Sequence, residues 1–361
     1  MNSKHDVRAV ARQFHILGEF LTAEPYGSGH INDTYCVVFD QGGLRVRYIV
    51  QRINHAIFKN PVALMENIQR VTEHLGQKSA GQSDQSRRVL TLISASDGKR
   101  YYCDQAGNHW RAYIFIEKAR TFDAVESAPQ AFQAAKAFGQ FQKLLADLPA
   151  PRLYDTIPDF HHTPKRFAAL EKAIAADAFN LAKLAKPEIE FALNHKAITG
   201  VLLDAKLPER VTHNDTKFNN VMIEDATGEG ICVIDLDTVM PGLALYDFGD
   251  MIRTATSPAQ EDERDLAKVR MQFPMFEALV RGYLTTASEF LTRAEKQFLA
   301  FSGELITFEI GVRFLTDFLE GDTYFKVHRE GHNLDRCRTQ FKLVESIEQQ
   351  EAAMNKLVET I

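Results

Sequence analysis

VTHNDTKFNNVMIEDATGEGICVIDLDT, residues 211–238, is the stretch that decides how the rest of the chain is read. An apolar strand around Arg210 to Asn214 delivers His213-Asn214-Asp215, and Asn220 follows five residues after Asp215. A β-hairpin then returns through Ile231-Cys232-Val233-Ile234 and ends on Asp235. Asn and Asp are also ordinary turn formers, so H-x-D-x-x-x-x-N is weak on its own. Two flanking apolar strands and a second aspartate twenty residues on make it specific.

These three polar groups match the needs of phosphoryl transfer from ATP. One carboxylate must orient an acceptor hydroxyl and take its proton, while an Asn oxygen and a second carboxylate hold Mg²⁺. Oxygen ligands are what Mg²⁺ prefers. The catalytic loop H-R-D-L-x-x-x-N of protein kinases has the same spacing. Asp215 is therefore the candidate base, and Asn220 and Asp235 are the candidate metal ligands. Asp247-Phe248-Gly249 spells D-F-G, but it lies in LYDFGDMIR, which reads as the start of a helix. We expect Asp247 or Asp250 to brace the catalytic loop through its backbone. Asp237 is a further ligand, a turn residue or a residue standing behind the ligands.

Upstream, the first third reads as mainly β. Thr34 to Asp40 is a strand, Gln41-Gly42-Gly43 a hairpin turn, and LRVRYIVQRI a second strand ending near Arg52. From Pro61, Leu64, Ile68, Val71 and Leu75 fall at helical spacing. A polar loop follows over residues 76–88, then strands at Val89 to Ser94, around KRYYCD, and at His109 to Ile116. After Glu117 to Asp123 the chain reads as helices. Phe132, Ala135, Phe138, Phe141, Leu145 and Leu148 share one face, and further helices open at Pro164 and Pro187. From Ala244 onward only helices and loops are expected, and the acidic run Glu261 to Asp265 reads as a solvated helix face. The fold expected is α+β and bilobal: a β-rich N-terminal nucleotide-binding lobe, residues 1–118, and a mainly helical catalytic and substrate lobe, residues 119–361.

Four features of the N-terminal lobe bear on the nucleotide. Tyr26-Gly27-Ser28-Gly29-His30-Ile31-Asn32-Asp33 is neither a Walker A loop nor a full G-x-G-x-x-G. Alone it would be a hairpin turn. Ahead of the residue 213–220 motif it reads as a phosphate loop, with Gly27, Ser28, Gly29, His30 and Asn32 the candidates. Arg52 ends the strand where kinases carry a lysine, and Glu66 lies in the next helix. Gln51 and Lys59 compete with Arg52 for that role. WRAYIFIEKA leads into the helices, so the backbone near Glu117 is expected to read adenine. His161-His162 reads as a loop pair, and Trp110 as packing.

Composition narrows the class further. With 42 Lys and Arg against 48 Asp and Glu, the net charge is −6 and no basic stripe for nucleic acid is expected. The four cysteines, Cys36, Cys103, Cys232 and Cys337, show no ligand spacing and are expected as buried thiols. Neither a secretory leader nor a run of ~18 apolar residues is evident. A cytoplasmic protein acting on a small molecule, with no nucleic-acid, membrane or protein partner implied, is the expectation.

The motifs resemble the aminoglycoside phosphotransferase and choline kinase group, and more particularly the N-acetylhexosamine 1-kinase family. YGSGHINDTY, NPVALMENI, WRAYIFIE, IPDFHHTPKRF, THNDTKFNNVM and VIDLDTVMPGLALYDFGDMIR all look like that family. The resemblance implies the bilobal kinase fold and phosphorylation of N-acetylglucosamine and N-acetylgalactosamine at the anomeric hydroxyl, with ATP and Mg²⁺. It puts the base at Asp215 and the metal at Asn220 and Asp235, and it implies that Arg313 and Tyr324 reach the sugar. Arg313 could instead pair with Asp317 one helical turn on. Arg52 in place of lysine departs from the general kinase pattern. Only eleven residues separate Asp235 from Asp247, and no A-P-E follows, which leaves no room for the activation segment of a protein kinase.

Overall fold

Tyr35, Val37 and Phe39 are buried, whereas Cys36 and Val38 between them are only half so. That period of two is the mark of a strand with one face on a core. The computed structural model describes residues 5–27, 29, 31–81 and 84–361. In chain order its first elements are α1 (Val7–Ala11), β1 (Glu19–Pro25), β2 (Asp33–Gln41), β3 (Leu44–Arg52) and α2 (Pro61–Lys78). Next come α3 (Gln85–Arg88), β4 (Leu92–Ile93), β5 (Tyr102–Cys103), β6 (His109–Ile114) and β7 (Ala119–Arg120). The middle holds α4 (Ala128–Leu145), α5 (Thr163–Ala176), α6 (Lys186–Asn194), α7 (Val201–Asp204), β8 (Arg210–Thr212), β9 (Val221–Glu224), β10 (Gly230–Val233) and β11 (Met240–Gly242). The remainder is helical: α8 (Ala244–Ala255), α9 (Phe273–Ala287), α10 (Arg293–Gln297), α11 (Leu299–Leu319), α12 (His332–Glu348) and α13 (Glu351–Thr360). An N-terminal antiparallel sheet followed by a mostly helical region makes the fold α+β.

The chain divides into two compact units that interleave in sequence. The first takes residues 1–123, 147–157 and 222–240, and the second takes 124–146, 158–221 and 241–361. In the first, the sheet runs β1-β2-β3-β6-β4, with β5 also on β6. The β2–β3 hairpin closes at Gly42 and Gly43, both at positive φ (68° and 89°), the two-residue turn that matches strand twist. One face packs Tyr35, Val37, Phe39, Val50 and Trp110 against Val7, Val10 and Phe14. On α2, Leu64, Ile68, Val71 and Leu75 are buried as the spacing predicts. Between them, buried Asn67 donates to the carbonyls of Tyr154 (2.8 Å) and Val239 (3.1 Å), and accepts from the Tyr154 N–H.

The second unit is built on α11, buried along almost its whole length. An apolar helix of this kind needs neighbours on every side, and it packs with α5, α8 and α12. The D-F-G tripeptide lies inside α8. A Cβ at Gly249 would stand 2.3 Å from the Ser302 carbonyl oxygen, so glycine is there to let α8 approach α11.

Three expectations change. The strand expected over Val89 to Ser94 shrinks to Leu92–Ile93, and α3 forms within the expected polar loop. Glu261 to Asp265 forms turns, not a helix face, because its carboxylates are drawn to Arg253 and Arg329. Cys103 is exposed and Cys36 half-buried, since both lie on strands of a sheet whose second face is not fully covered; Cys232 and Cys337 are buried. Among the described residues no helix is long and apolar enough to cross a membrane.

Candidate active site

β8 carries the chain into the loop that begins at His213. His213 is fully buried, with its ring edge-on to Phe138 (5.4 Å) and Phe141 (5.9 Å) of α4. Asn214 takes a left-handed conformation, φ 64°, which Asn tolerates better than most residues. Two consecutive backbone N–H groups meet one carboxylate there. Asp247 accepts from His213 N–H (2.9 Å) and from Asn214 N–H (2.7 Å). Gln142 of α4 donates to the same carboxylate at 2.6 Å. Burial pushes the Asp247 carboxyl up, and His213 and the backbone donors oppose that push.

Asp250, one turn along α8, accepts from Thr216 N–H (2.8 Å) and is itself held by Arg253 (2.8 Å). Both aspartates thus brace the loop through its backbone, as expected from their place after the strand. A third brace was not foreseen. His161 is buried, with one ring nitrogen on Glu309 (2.8 Å) and the other on the Asn214 carbonyl oxygen (3.2 Å). In sequence this histidine reads as one of a loop pair; its partner lies 148 residues away on α11.

Asp215 is half-buried at the end of this scaffold. Lys217 Nζ lies 3.1 Å from its Oδ1. Burial opposes its charge, but Lys217 and His213 outweigh burial and hold the carboxyl below its ordinary value. It is therefore ionised at neutral pH. Asn220 donates its Nδ2 to the Asp215 carbonyl (2.8 Å) and to Asp215 Oδ2 (3.3 Å). With the nitrogen spent on Asp215, the amide oxygen of Asn220 is the atom left for a cation. No cluster of three metal-binding side chains occurs among the described residues. Mg²⁺ at a nucleotide needs no such cluster, because one or two protein oxygens and the phosphates complete its shell. The donor set fits that ion.

The first unit carries Asp235, just past β10, at φ 57°. Two residues on, Asp237 is buried and fully engaged: Arg111 of β6 donates to Oδ1, and Asn32 donates to Oδ2 at 2.6 Å. Neither role was legible in sequence. Of the phosphate-loop candidates, Gly27 takes φ 84° and Asn32 is committed to Asp237 and to the Asn54 N–H (2.9 Å). Ser28 and His30 lie outside the described residues. Arg52 pairs with Asp33 at 2.6 Å, whereas Glu66 is exposed on α2, so the structure does not bring Arg52 and Glu66 together.

Glu117 pairs with Arg47, whose guanidinium lies 3.9 Å from the centre of the Phe115 ring. The Glu117 carbonyl accepts from Arg87 at 3.0 Å. Beside this pair is a cavity of about 870 Å³, lined by Leu21, Thr22, Val38, Arg45, Val46, Arg47 and Glu117. In the second unit, Arg313 stands over the rings of Phe160 (5.1 Å), Phe325 (5.6 Å) and Tyr324 (5.9 Å). It does not pair with Asp317. That carboxylate instead accepts the backbone N–H groups of Thr323, Tyr324 and Phe325.

An aspartate held below its ordinary value on a triply braced loop, with an amide oxygen beside it, is an arrangement that can serve phosphoryl transfer. Several solved structures share the fold at low identity. An aminoglycoside phosphotransferase from Alicyclobacillus acidocaldarius matches with a TM-score of 0.64 and 13% identity, covering 100% of this chain and 98% of that one. A microcompartment-associated aminopropanol kinase matches at 0.59 and 15%, covering 97% and 98%. The streptomycin–ATP–APH(2")-IIa ternary complex matches at 0.52 and 14%, covering 98% and 99%. The fold is thus the protein-kinase-like α+β fold. Residues 22–279 match the phosphotransferase enzyme family, and the chain belongs to that family. It is an ATP-dependent small-molecule kinase of that phosphotransferase family.

Proposed function

We propose that this kinase phosphorylates the anomeric hydroxyl of N-acetylglucosamine and N-acetylgalactosamine, giving the 1-phosphate and ADP. Asp215 orients the acceptor O–H and takes its proton. The freed oxygen attacks the γ-phosphorus of ATP, the bond from that phosphorus to the bridging oxygen breaks, and ADP leaves with the electron pair. A hemiacetal hydroxyl is more acidic than an ordinary alcohol, so a single carboxylate of low basicity suffices. Asn220 and Asp235 are the residues that would hold Mg²⁺, and the ion would supply neutralisation of charge on the phosphates. The adenine base is placed beside the backbone near Glu117, where the sheet leaves an open cavity.

The observation that carries the acceptor assignment is Arg313. It sits over three aromatic rings, and the one carboxylate whose charge it is seen to feel, that of Glu309, is hydrogen-bonded to His161 and Thr163. It is linked to the catalytic loop through Phe160, whose ring is 4.7 Å from that of His161, which in turn touches Asn214. A donor head beside exposed Tyr324 suits the hydroxyl and carbonyl oxygens and the ring face of a neutral sugar. The charge of Arg313 weighs against a cation there, although Glu309, Tyr324 and Asp159 oppose it. Arg166 is near enough that burial first, and then the charge of Arg313, lower its pKa. Amino alcohols and aminoglycosides would carry positive charge into that field.

An ATP-consumption assay over a panel of N-acetylhexosamines, amino alcohols and aminoglycosides tests this reading. Turnover of N-acetylglucosamine and N-acetylgalactosamine above all cationic acceptors is expected. A preference for choline, aminopropanol or an aminoglycoside would overturn it.

A further inference from the structure

Arg111 is an arginine in the interior of a strand with only 1% of its side chain exposed. A buried guanidinium is tolerated only when its charge and donors are met, and here each edge is accounted for. Nη1 meets Asp237 Oδ1, while Nε and Nη2 reach Gln51 Oε1 at 2.8 and 2.5 Å. Gln51 is the register partner of Arg111 across β3 and β6, and Thr34 is the partner of Gln51 across β2 and β3. Gln51 Nε2 donates on to Thr34 Oγ1 at 2.8 Å. A polar row thus crosses three strands and ends on Asp237.

The far side of Asp237 is held as firmly. Asn32, from the glycine-bearing turn before β2, donates to Oδ2 and accepts the Asn54 N–H. Two residues after Asp237, Asn67 of α2 holds the Val239 carbonyl. Asp235 lies between the end of β10 and this clamp, in a left-handed conformation that costs a non-glycine residue free energy and persists only where its surroundings impose it.

We propose that Arg111 is a positioning residue for the metal: acting through Asp237, it fixes the segment 235–238 so that the Asp235 carboxylate is held ready for Mg²⁺, and Asn32 ties the start of β2 to the same anchor. The inference rests on the kinase reading of Asp235. It assigns Asp237 to Arg111 and Asn32 and leaves it out of the metal shell. It also locates the buried cation of this unit on β6, while Arg52 on β3 is spent on Asp33.

Binding of Mn²⁺, a paramagnetic stand-in for Mg²⁺, tests the proposal by electron paramagnetic resonance titration of the full chain with ADP present. Partners that orient metal ligands typically contribute about 10–100-fold in metal affinity. Asp237→Asn and Arg111→Lys should each weaken Mn²⁺ binding by about that factor, with the acceptor KM within about twofold of the parent. The Arg111→Lys/Asp237→Asn double variant should bind Mn²⁺ no worse than Asp237→Asn alone, because the two act as one unit. A folded Asp237→Asn or Arg111→Lys protein with parental Mn²⁺ affinity, or an additive double variant, would overturn the proposal. Asn32→Ala removes only the outer member of the network and decides the matter if the buried variants do not fold. Weakened Mn²⁺ binding is expected, and unchanged binding overturns the proposal. Asp235→Asn runs alongside. If it too leaves Mn²⁺ binding unchanged, the assignment of Asp235 falls and takes this inference with it; if it alone weakens binding, only the inference falls.

Discussion

Asp247 places both carboxylate oxygens on consecutive backbone N–H groups, those of His213 and Asn214, immediately before Asp215. The carboxylate therefore sets the direction in which the chain presents its base. Asp247→Asn replaces one acceptor by a donor against a buried N–H, an exchange that costs about 1–3 kcal/mol. We expect a lower melting temperature and a turnover reduced by up to about 100-fold, the scale of a misplaced catalytic group. The Mg²⁺ concentration for half-maximal activity should stay at the parental value. A shift in Mg²⁺ dependence would return the metal to the D-F-G aspartate.

Asp215→Asn keeps the shape of the base and removes its proton affinity. Turnover should fall by about 10²–10⁴-fold, the usual contribution of a positioned general base. Nucleotide binding, followed by fluorescence of a labelled ATP analogue, should survive. Near-parental turnover would show that Asp215 is not the base.

Glu304 makes stability depend on pH. It is buried on α11, and burial first, then Glu348 and Glu351, push its carboxyl up to about 7 from an ordinary value of 4.5. Between those values the folded chain binds more protons than the unfolded one. Its stabilising share is therefore complete below the unfolded value and is lost as pH rises through the folded one. The slope is at most about 1.4 kcal/mol per pH unit. Glu304→Gln should flatten the decline in melting temperature between about pH 5 and pH 8, and should melt above the parent at the upper end. Parallel curves for the two proteins would exclude this role.

Local pattern carried the parts of the account in which neighbours in sequence are neighbours in space. The β2–β3 hairpin and the buried face of α2 were legible that way, whereas the bracing by Asp247 and Asp250, 33 or 34 residues from the groups they hold, was legible only from its place after the motif. What escaped depends on distant partners. Arg111 sits in an apolar strand, and nothing near it announces that Asp237, 126 residues on, meets its charge. His161 looks like one of a loop pair until Glu309 is seen behind it. Arg52 has a kinase-like strand position, yet Asp33 lies directly across the hairpin and takes it. The strand expected over Val89 to Ser94 is reduced to two residues at the sheet edge, where pairing decides and residue preference does not.

The position of attack on the sugar tests the central claim most directly. The purified protein would be given N-acetylglucosamine, ATP and Mg²⁺, and the product followed by phosphorus NMR, with the methyl glycoside as a parallel acceptor whose anomeric oxygen is blocked and whose 6-hydroxyl is free. A site built to hydrogen-bond particular hydroxyls rejects an analogue that leaves its buried polar groups unpaired. We expect N-acetylglucosamine 1-phosphate alone and no turnover of the methyl glycoside. A 6-phosphate, or phosphorylation of the methyl glycoside, would contradict the assignment of the anomeric hydroxyl and leave the kinase fold and its family as they stand.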